Sequence, residues 1–497
     1  MTIGIGTRSL LLTQSLVGMR TEMADLQRQL ATGKKSDDYA GIGLNRGLTV
    51  SLRSQLAATE GYNDTITNIN VRLNLAEKTL ARVGTIGTET KNSLSQMTTA
   101  AGQTTAQASA RSALGEMLGL LNAQAGDRYI FSGLAGDTPA AASLNAIMDG
   151  DAGRAGFTQI VGERLQADMG ASGLGRLVVS SPSATSVSIG EDVAGSAFGF
   201  KLNAISSTLS GSSVSGPSGT PPQMAVDLGS VNPAAGEVVR FTFDLPDGSK
   251  ETISLTATTK VPPGKGEFSI GQDSAATASN LQAQLNASIG QLARTSLTAA
   301  SALAAANDFF NMDAANPPRR VDGPPFDSAT GLVAADASNT VVWYTGEAGE
   351  QSARSTAAAR VDQSITVNYG MRANEEGIRW QLQNIAALAA VSLPASDADS
   401  QDRASAMASR LRGALDVPQG VQSTADIRTE LAGAAKSVDA AKQRHQYTKA
   451  TLSDFLESIE GVSKEEVGAK ILALQTNLQA SMQTTARLFQ MSILNYL

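Results

Sequence analysis

The feature that most constrains this chain is a set of narrow apolar seams on long stretches near both ends. Leu12, Leu16, Met19, Met23, Leu26 and Leu30 step by four and three, the spacing that lines one helix face with a coiled-coil seam. They predict a helix over 8–32 that stops at Thr32-Gly33-Lys34-Lys35, where a glycine suits a helix end. A second seam runs Ile66, Ile69, Leu73, Ala76, Leu80, Val83, Gly87, Thr90, Leu94, Met97, Ala101. It predicts a helix from near Asp64 to Ala100, roughly 55 Å long, followed by a helical segment over 106–125. Toward the other end, helical segments are predicted over 375–391 and 400–415, with a loop from Pro394 to Asp399. A third seam then runs Ile427, Leu431, Ala434, Val438, Ala441, His445, Thr448, Leu452, Phe455, Ile459 and breaks at Gly461. The last helix starts near Ser463, which forms a capping-box pattern with Glu466. It carries Val467, Ile471, Leu474, Leu478, Met482, Leu488, Phe489, Ile493 and Leu494 and runs almost to Leu497. Seams this narrow do not bury themselves alone. The fold class expected is mainly α with an α+β insert: a long antiparallel helical bundle or coiled coil built from both ends, around a central β-containing outer domain.

The centre has a different texture. Val238 to Leu245 alternates with period two, Pro246-Asp247-Gly248-Ser249 is a turn signal, and Lys250 to Thr256 alternates again. Together they predict a hairpin. Phe268-Ser269-Ile270 reads as a short strand, 275–289 as a helix packed by Leu281, Leu285 and Ile289, and Leu177–Val179 and Val187–Ile189 as earlier strands. The Ser/Gly/Pro-rich stretch 206–222 reads as a loop. Five segments follow: 1–40, an N-terminal coiled-coil segment; 41–150, the N-terminal part of a helical bundle; 151–360, a surface-exposed α+β insert; 361–460, the C-terminal part of the bundle; and 461–497, a C-terminal coiled-coil segment.

Composition excludes several kinds of chemistry. The 497 residues contain no Cys and a single histidine, His445, so thiolate and multi-histidine metal sites are ruled out. A formal charge of −7 argues against non-specific nucleic-acid binding. No run of roughly 18 apolar residues is present, so no spanning helix is expected. The start, where Leu10-Leu11-Leu12 stops at Thr13, lacks the apolar stretch of a cleaved secretory signal. Asp37-Asp38 reads as a capped turn rather than a cation site. Gly170-x-x-Gly173-x-Gly175 lacks the strand–loop–helix context and lysine of a nucleotide loop. Ser132 lacks the glycine spacing of a nucleophile elbow and a histidine base. His445 reads as a structural residue. Catalytic, cofactor-binding and metal residues are therefore expected to be absent, with no cofactor and no enzyme activity.

Several short stretches occur in a suggestive order. They are Leu26-Gln27-Arg28-Gln29-Leu30-Ala31-Thr32-Gly33-Lys34-Lys35, Ser36-Asp37-Asp38-Tyr39-Ala40-Gly41, Asp127-Arg128-Tyr129-Ile130-Phe131-Ser132-Gly133, Ile459-Glu460-Gly461-Val462-Ser463, Leu478 to Gln483, and the ending Ser492-Ile493-Leu494-Asn495-Tyr496-Leu497. They resemble the bacterial flagellin family, which includes filament flagellins and the junction protein between hook and filament. The resemblance covers about 1–140 and 360–497. It implies a structural subunit that polymerises into the flagellar filament for swimming motility, located outside the cell after type III export without a cleaved signal. It also implies a homopolymeric helical partner, hook-associated and cap proteins, and an export chaperone on the C-terminal helix, with neither nucleic acid nor membrane insertion. Self-assembly would fall to Leu12, Leu16, Met19, Met23, Leu26, Leu30, Ile471, Leu474, Leu478, Met482, Leu488, Phe489, Ile493 and Leu497. The alternative within the family is the hook–filament junction protein, which the Tyr129–Gly133 stretch and the Asn495-Tyr496-Leu497 ending favour. The length and large insert favour the filament subunit.

Overall fold

The apolar seams become helices. The computed structural model describes residues 5–311, 318–347 and 349–494, with side chains from Leu10 to Arg487 in the first and last helices. Its helices are α1 Ile5–Thr32, α2 Arg46–Ser93, α3 Ala100–Leu121, α4 Leu144–Asp149, α5 Phe157–Met169, α6 Ser274–Leu292, α7 Thr298–Phe310, α8 Glu376–Ala390, α9 Ser400–Ala414, α10 Thr424–Glu460 and α11 Lys464–Leu494. The chain is mainly helical with a sheet-containing part, and it divides into two compact units. Unit 1 is 1–69, 360–367 and 436–497; unit 2 is 70–359 and 368–435.

In unit 1, the first part of α2 lies beside the last part of α10. His445 is buried, stacks on Tyr62 with ring centroids 5.4 Å apart, and hydrogen-bonds the Val361 carbonyl through Nε2 at 2.8 Å. Lys449 pairs with Glu60. On α10 the sequence seam holds at Val438, Ala441, His445 and Leu452, but Phe455 is exposed, and its neighbour Leu456 is half-buried instead.

Unit 2 joins helices to two four-stranded sheets. Strands β1 Gln124–Ala125 and β2 Arg128–Tyr129 form a small hairpin. Strands β3 Leu177–Ser180, β4 Ser186–Glu191, β5 Lys201–Ser207, β6 Ser213–Ser218, β7 Gln223–Asp227, β8 Val238–Asp244, β9 Lys250–Thr258 and β10 Glu267–Ser269 follow. One sheet has the order β3-β4-β7-β6, the other β10-β9-β8-β5. The expected hairpin is β8–β9, with Val238 opposite Thr256 and Asp244 opposite Lys250. Leu245 and Ser249 close its turn, and Gly248 takes φ +80° there. Both sheets and α6 share one core, in which Ile189, Val226, Phe200, Phe241, Leu255, Leu281 and Leu285 are buried. The alanine-rich α7 is buried along most of its length. Beside it Phe157, Phe309, Phe310 and Trp343 cluster with centroids 5.0–5.6 Å apart. The Trp343 indole N–H donates to the Phe310 carbonyl at 2.9 Å. With aromatics at only 4%, the chain gathers four of them here and four more, Phe200, Phe241, Phe243 and Phe268, in the core shared by the sheets, where each buries a large apolar area.

Charges buried in unit 2 are paired. Arg164 reaches Asp168 at 3.1 Å and Asp308 at 2.8 Å, and Asp168 also accepts the Gly199 N–H at 2.9 Å. Burial raises the Asp308 carboxyl above the ordinary aspartate value, although Arg164 pulls the other way.

Two expectations need correction. The second helix begins at Arg46, not near Asp64, and ends at Ser93 although the seam continues to Met97. A 3-10 turn over Leu94–Gln96 follows, and Thr99 caps α3 by accepting the Gly102 N–H. A Cβ at Gly102 would lie 1.8 Å from the Gln96 carbonyl oxygen, so glycine permits this sharp re-entry. The stretch read as a loop over 206–222 contains β6, which pairs with β7. Every residue of β6 is exposed, so no face carries the alternation that would have marked a strand.

Replacing Phe241 with Ala removes a ring from the core shared by both sheets. The expected loss is about 3–5 kcal/mol, measured as a lowered urea midpoint for unit 2.

Candidate assembly surface

The residues expected to drive assembly lie largely on α1 and α11. These helices touch within unit 1. Leu26, Val467 and Leu474 are buried together, with Met19, Met23, Val462 and Ile471 packed against them. The end of α1 meets the start of α11, so the two run antiparallel where they touch. Gly33, with φ +70°, ends α1, and its N–H donates to the Gln29 carbonyl. The Lys35 N–H then donates to the Glu460 carbonyl at 2.7 Å, and the Val462 N–H to the Gly33 carbonyl at 3.0 Å. Lys34 and Gly461 form an antiparallel bridge. Two of the motif stretches singled out in the sequence therefore meet here.

Side chains reinforce this junction. Glu460 is buried and takes Arg53 in a two-point pair, Nε–Oε1 3.0 Å and Nη2–Oε2 2.6 Å, the strong geometry for guanidinium and carboxylate. Lys35 Nζ donates to the Ile459 carbonyl at 2.8 Å. Ser463 accepts the Glu466 N–H at 3.2 Å, while the Glu466 carboxylate pairs with Lys470; half of the capping box forms. In the neighbouring turn Asp38 Oδ1 accepts the Gly41 N–H at 2.9 Å and the Ser36 hydroxyl at 3.0 Å. These bonds, that from Gly41 first, hold its carboxyl below the usual aspartate value.

The expected assembly residues fall into distinct environments. Leu26 and Leu474 are buried, and Leu12, Leu16, Met19, Met23, Ile471 and Leu478 are half-buried. Leu30 and Met482 are exposed, whereas their neighbours Gln29 and Ser481 are half-buried. Met482 and Met23 border an open groove between the two helices, with Leu478 and Arg20. Leu488, Phe489 and Ile493 lie in α11 with side chains outside the described residues, and Leu497 lies outside them altogether. The Arg53–Glu460 pair and the contribution of Val462 were not anticipated, because neither belongs to a periodic seam. Facing away from the contact, Leu10, Leu11, Val17 and Leu472 are 70, 67, 59 and 64% exposed.

The other stretches weighed in the sequence have structural roles. Gly170 ends α5, and the chain proceeds through Gly173 and Gly175 to β3, so this glycine run follows a helix instead of opening one. Ser132 is buried and donates to the Thr138 carbonyl. Among the described residues no group of three or more His, Asp or Glu is placed to hold a metal ion. No described helix is long and apolar enough to cross a membrane.

Glu460→Ala removes the carboxylate from the junction. Hydrogen exchange at the Lys35 and Val462 amides is expected to quicken roughly tenfold, consistent with a charge-assisted bond of about 1.5–3 kcal/mol. The Asp38 turn depends on pH. Because its folded pKa lies below the unfolded value, the stabilisation is present above the unfolded pKa and fades as pH falls through the lowered one. Protection of the Gly41 amide should drop on acidification in the native chain and be absent at every pH in Asp38→Ala.

Compared with protein-family models and with curated protein sequences, the chain matches none.

Proposed function

We propose that this chain is a structural subunit of the flagellin type that polymerises into a helical filament outside the cell. In this reading α1 and α11 extend into a long terminal antiparallel coiled coil, and their outer faces form the contact between successive copies. The observation that carries it is the set of apolar side chains left exposed on two helices that already touch, with Leu10, Leu11, Val17 and Leu472 all more than half exposed. Scattered exposed leucines are ordinary, but a concentration on one helix pair marks a contact surface. Burying such surface contributes roughly 25 cal/mol per Å² of apolar area. A head-to-tail contact that does not close produces a helical polymer. The motif stretches quoted from the sequence support the family reading, and two of them meet at the Gly33–Val462 junction. Type III export, an export chaperone on α11, and hook-associated and cap proteins follow from the same reading, with catalysis assigned no part.

The hook–filament junction protein is the second reading, favoured by the Tyr129–Gly133 stretch and the Asn495-Tyr496-Leu497 ending. Assembly separates the two. Purified chain added to filament fragments should elongate them into long tubes, and a deletion strain should lack filaments. The double variant Leu11→Asp with Leu472→Asp should melt like the native chain yet fail to elongate. If the deletion strain still exports an abundant, different subunit, the filament reading is wrong and the junction reading stands.

A further inference from the structure

Two arginines of unit 2 that have no carboxylate partner among the described residues border one cavity. The buried arginines Arg164, Arg176, Arg372 and Arg403 each lie against a carboxylate. Arg72 on α2 is half-buried, and Arg128, which opens β2, is exposed. Neither has a carboxylate partner among the described residues, although the chain carries 46 acidic residues against 39 basic ones. Both line a cavity of about 390 Å³ together with Tyr129, Tyr369, Thr356 and Met371, and none of its lining residues is acidic. That volume falls in the range of roughly 300–1,000 Å³ usual for small-ligand pockets.

The polar side chains that line this cavity, Arg72, Arg128, Tyr129, Tyr369 and Thr356, each carry at least one donor N–H or O–H. Arg72 Nη1 donates to the Tyr369 hydroxyl at 3.3 Å, which leaves that hydroxyl its own proton to give and the guanidinium further N–H groups. Arg128 Nη2 reaches the Leu134 carbonyl only at 3.4 Å. Its guanidinium rests on Gly136, where a Cβ would come within 2.7 Å of Nε and Nη2. Thr356, by contrast, is engaged with the Ala353 carbonyl at 2.7 Å. The half-buried Arg72 guanidinium, without a counter-charge, gives up hydration with little in return, while the exposed Arg128 adds a second positive charge at the cavity's edge. A planar anion presenting two oxygens restores the balance through paired N–H···O bonds.

We propose that the Arg72–Arg128 cavity is a binding pocket for a carboxylate, held between the two guanidinium groups and the hydroxyls of Tyr129 and Tyr369. The carboxylate comes either from a free small acid or from an acidic side chain of a second copy of this chain. The pocket does not depend on the filament reading, because a single copy contains all of it.

The test uses the full chain at a concentration where it is monomeric, with malonate as probe and sodium chloride matched for ionic strength. Calorimetry should detect malonate binding that weakens at least tenfold in Arg72→Gln and in Arg128→Gln and is unchanged in Arg412→Gln, an exposed arginine elsewhere in the unit. Gly136→Ala keeps every charge and displaces the Arg128 guanidinium, so it should weaken binding while leaving the melting temperature near native. This variant keeps the test decisive if Arg72→Gln folds poorly. Sedimentation at high concentration identifies the source. Self-association that malonate and Arg128→Gln both reduce assigns an acidic side chain of a second copy, and self-association that ignores both assigns a free acid. The proposal is overturned if malonate binds no better than chloride, or binds Arg128→Gln and Gly136→Ala as tightly as the native chain.

Discussion

Two backbone hydrogen bonds set the register on which unit 1 depends. Lys35 gives its N–H to Glu460, and Val462 gives its N–H to Gly33. A heptad seam alone does not choose a register, since sliding one helix by a full heptad again sets apolar against apolar. The junction removes that freedom. It places the end of α1 against the start of α11, so that Leu26 lies with Val467 and Leu474. The buried Glu460 adds directionality, because its carboxylate faces Arg53 in this register. Gly33 makes the turn possible by adopting a left-handed backbone that side-chain-bearing residues rarely take.

Unit 2 solves a different problem, which is how to build a large core from few aromatics and much alanine. It brings helices close, so that α7 is buried along most of its length. Glycine assists where elements press together. A Cβ at Gly87 would sit 2.4 Å from Gln381 Oε1, and one at Gly175 would sit 2.3 Å from Phe200. Charges that enter this interior, such as Arg164 and Asp168, arrive in pairs, since an unpartnered buried ion is far costlier than a paired one.

Much of this was legible in the sequence where a periodic signal coincided with burial. The helices α1, α10 and α11 follow their seams, α8 and α9 fall on the helical segments expected over 375–391 and 400–415, and β8 and β9 follow alternation plus a turn. Where burial is absent, the signal fails. Strand β6 is exposed throughout and reads as a loop. In α2 from Arg46 to Asn63 the inward row is Thr49, Leu52, Leu56 and Thr59, and its two threonines hide the apolar steps that mark the helix's continuation. In the candidate surface, polarity misleads by one residue: Leu30 and Met482 attract notice, while the helix phase turns Gln29 and Ser481 inward. Long-range polar pairs such as Arg53 with Glu460 carry no local signature, because only the folded backbone brings them together.

The way unit 1 is pieced together also orders its folding in time. It draws on stretches from both sides of unit 2 in the chain, so α1 has no α11 to meet until synthesis has passed through the whole of unit 2. Closing so long an unstructured loop carries a large entropic cost. Until the last helix is made, the face of α1 that carries Leu26 has no α11 to pack against.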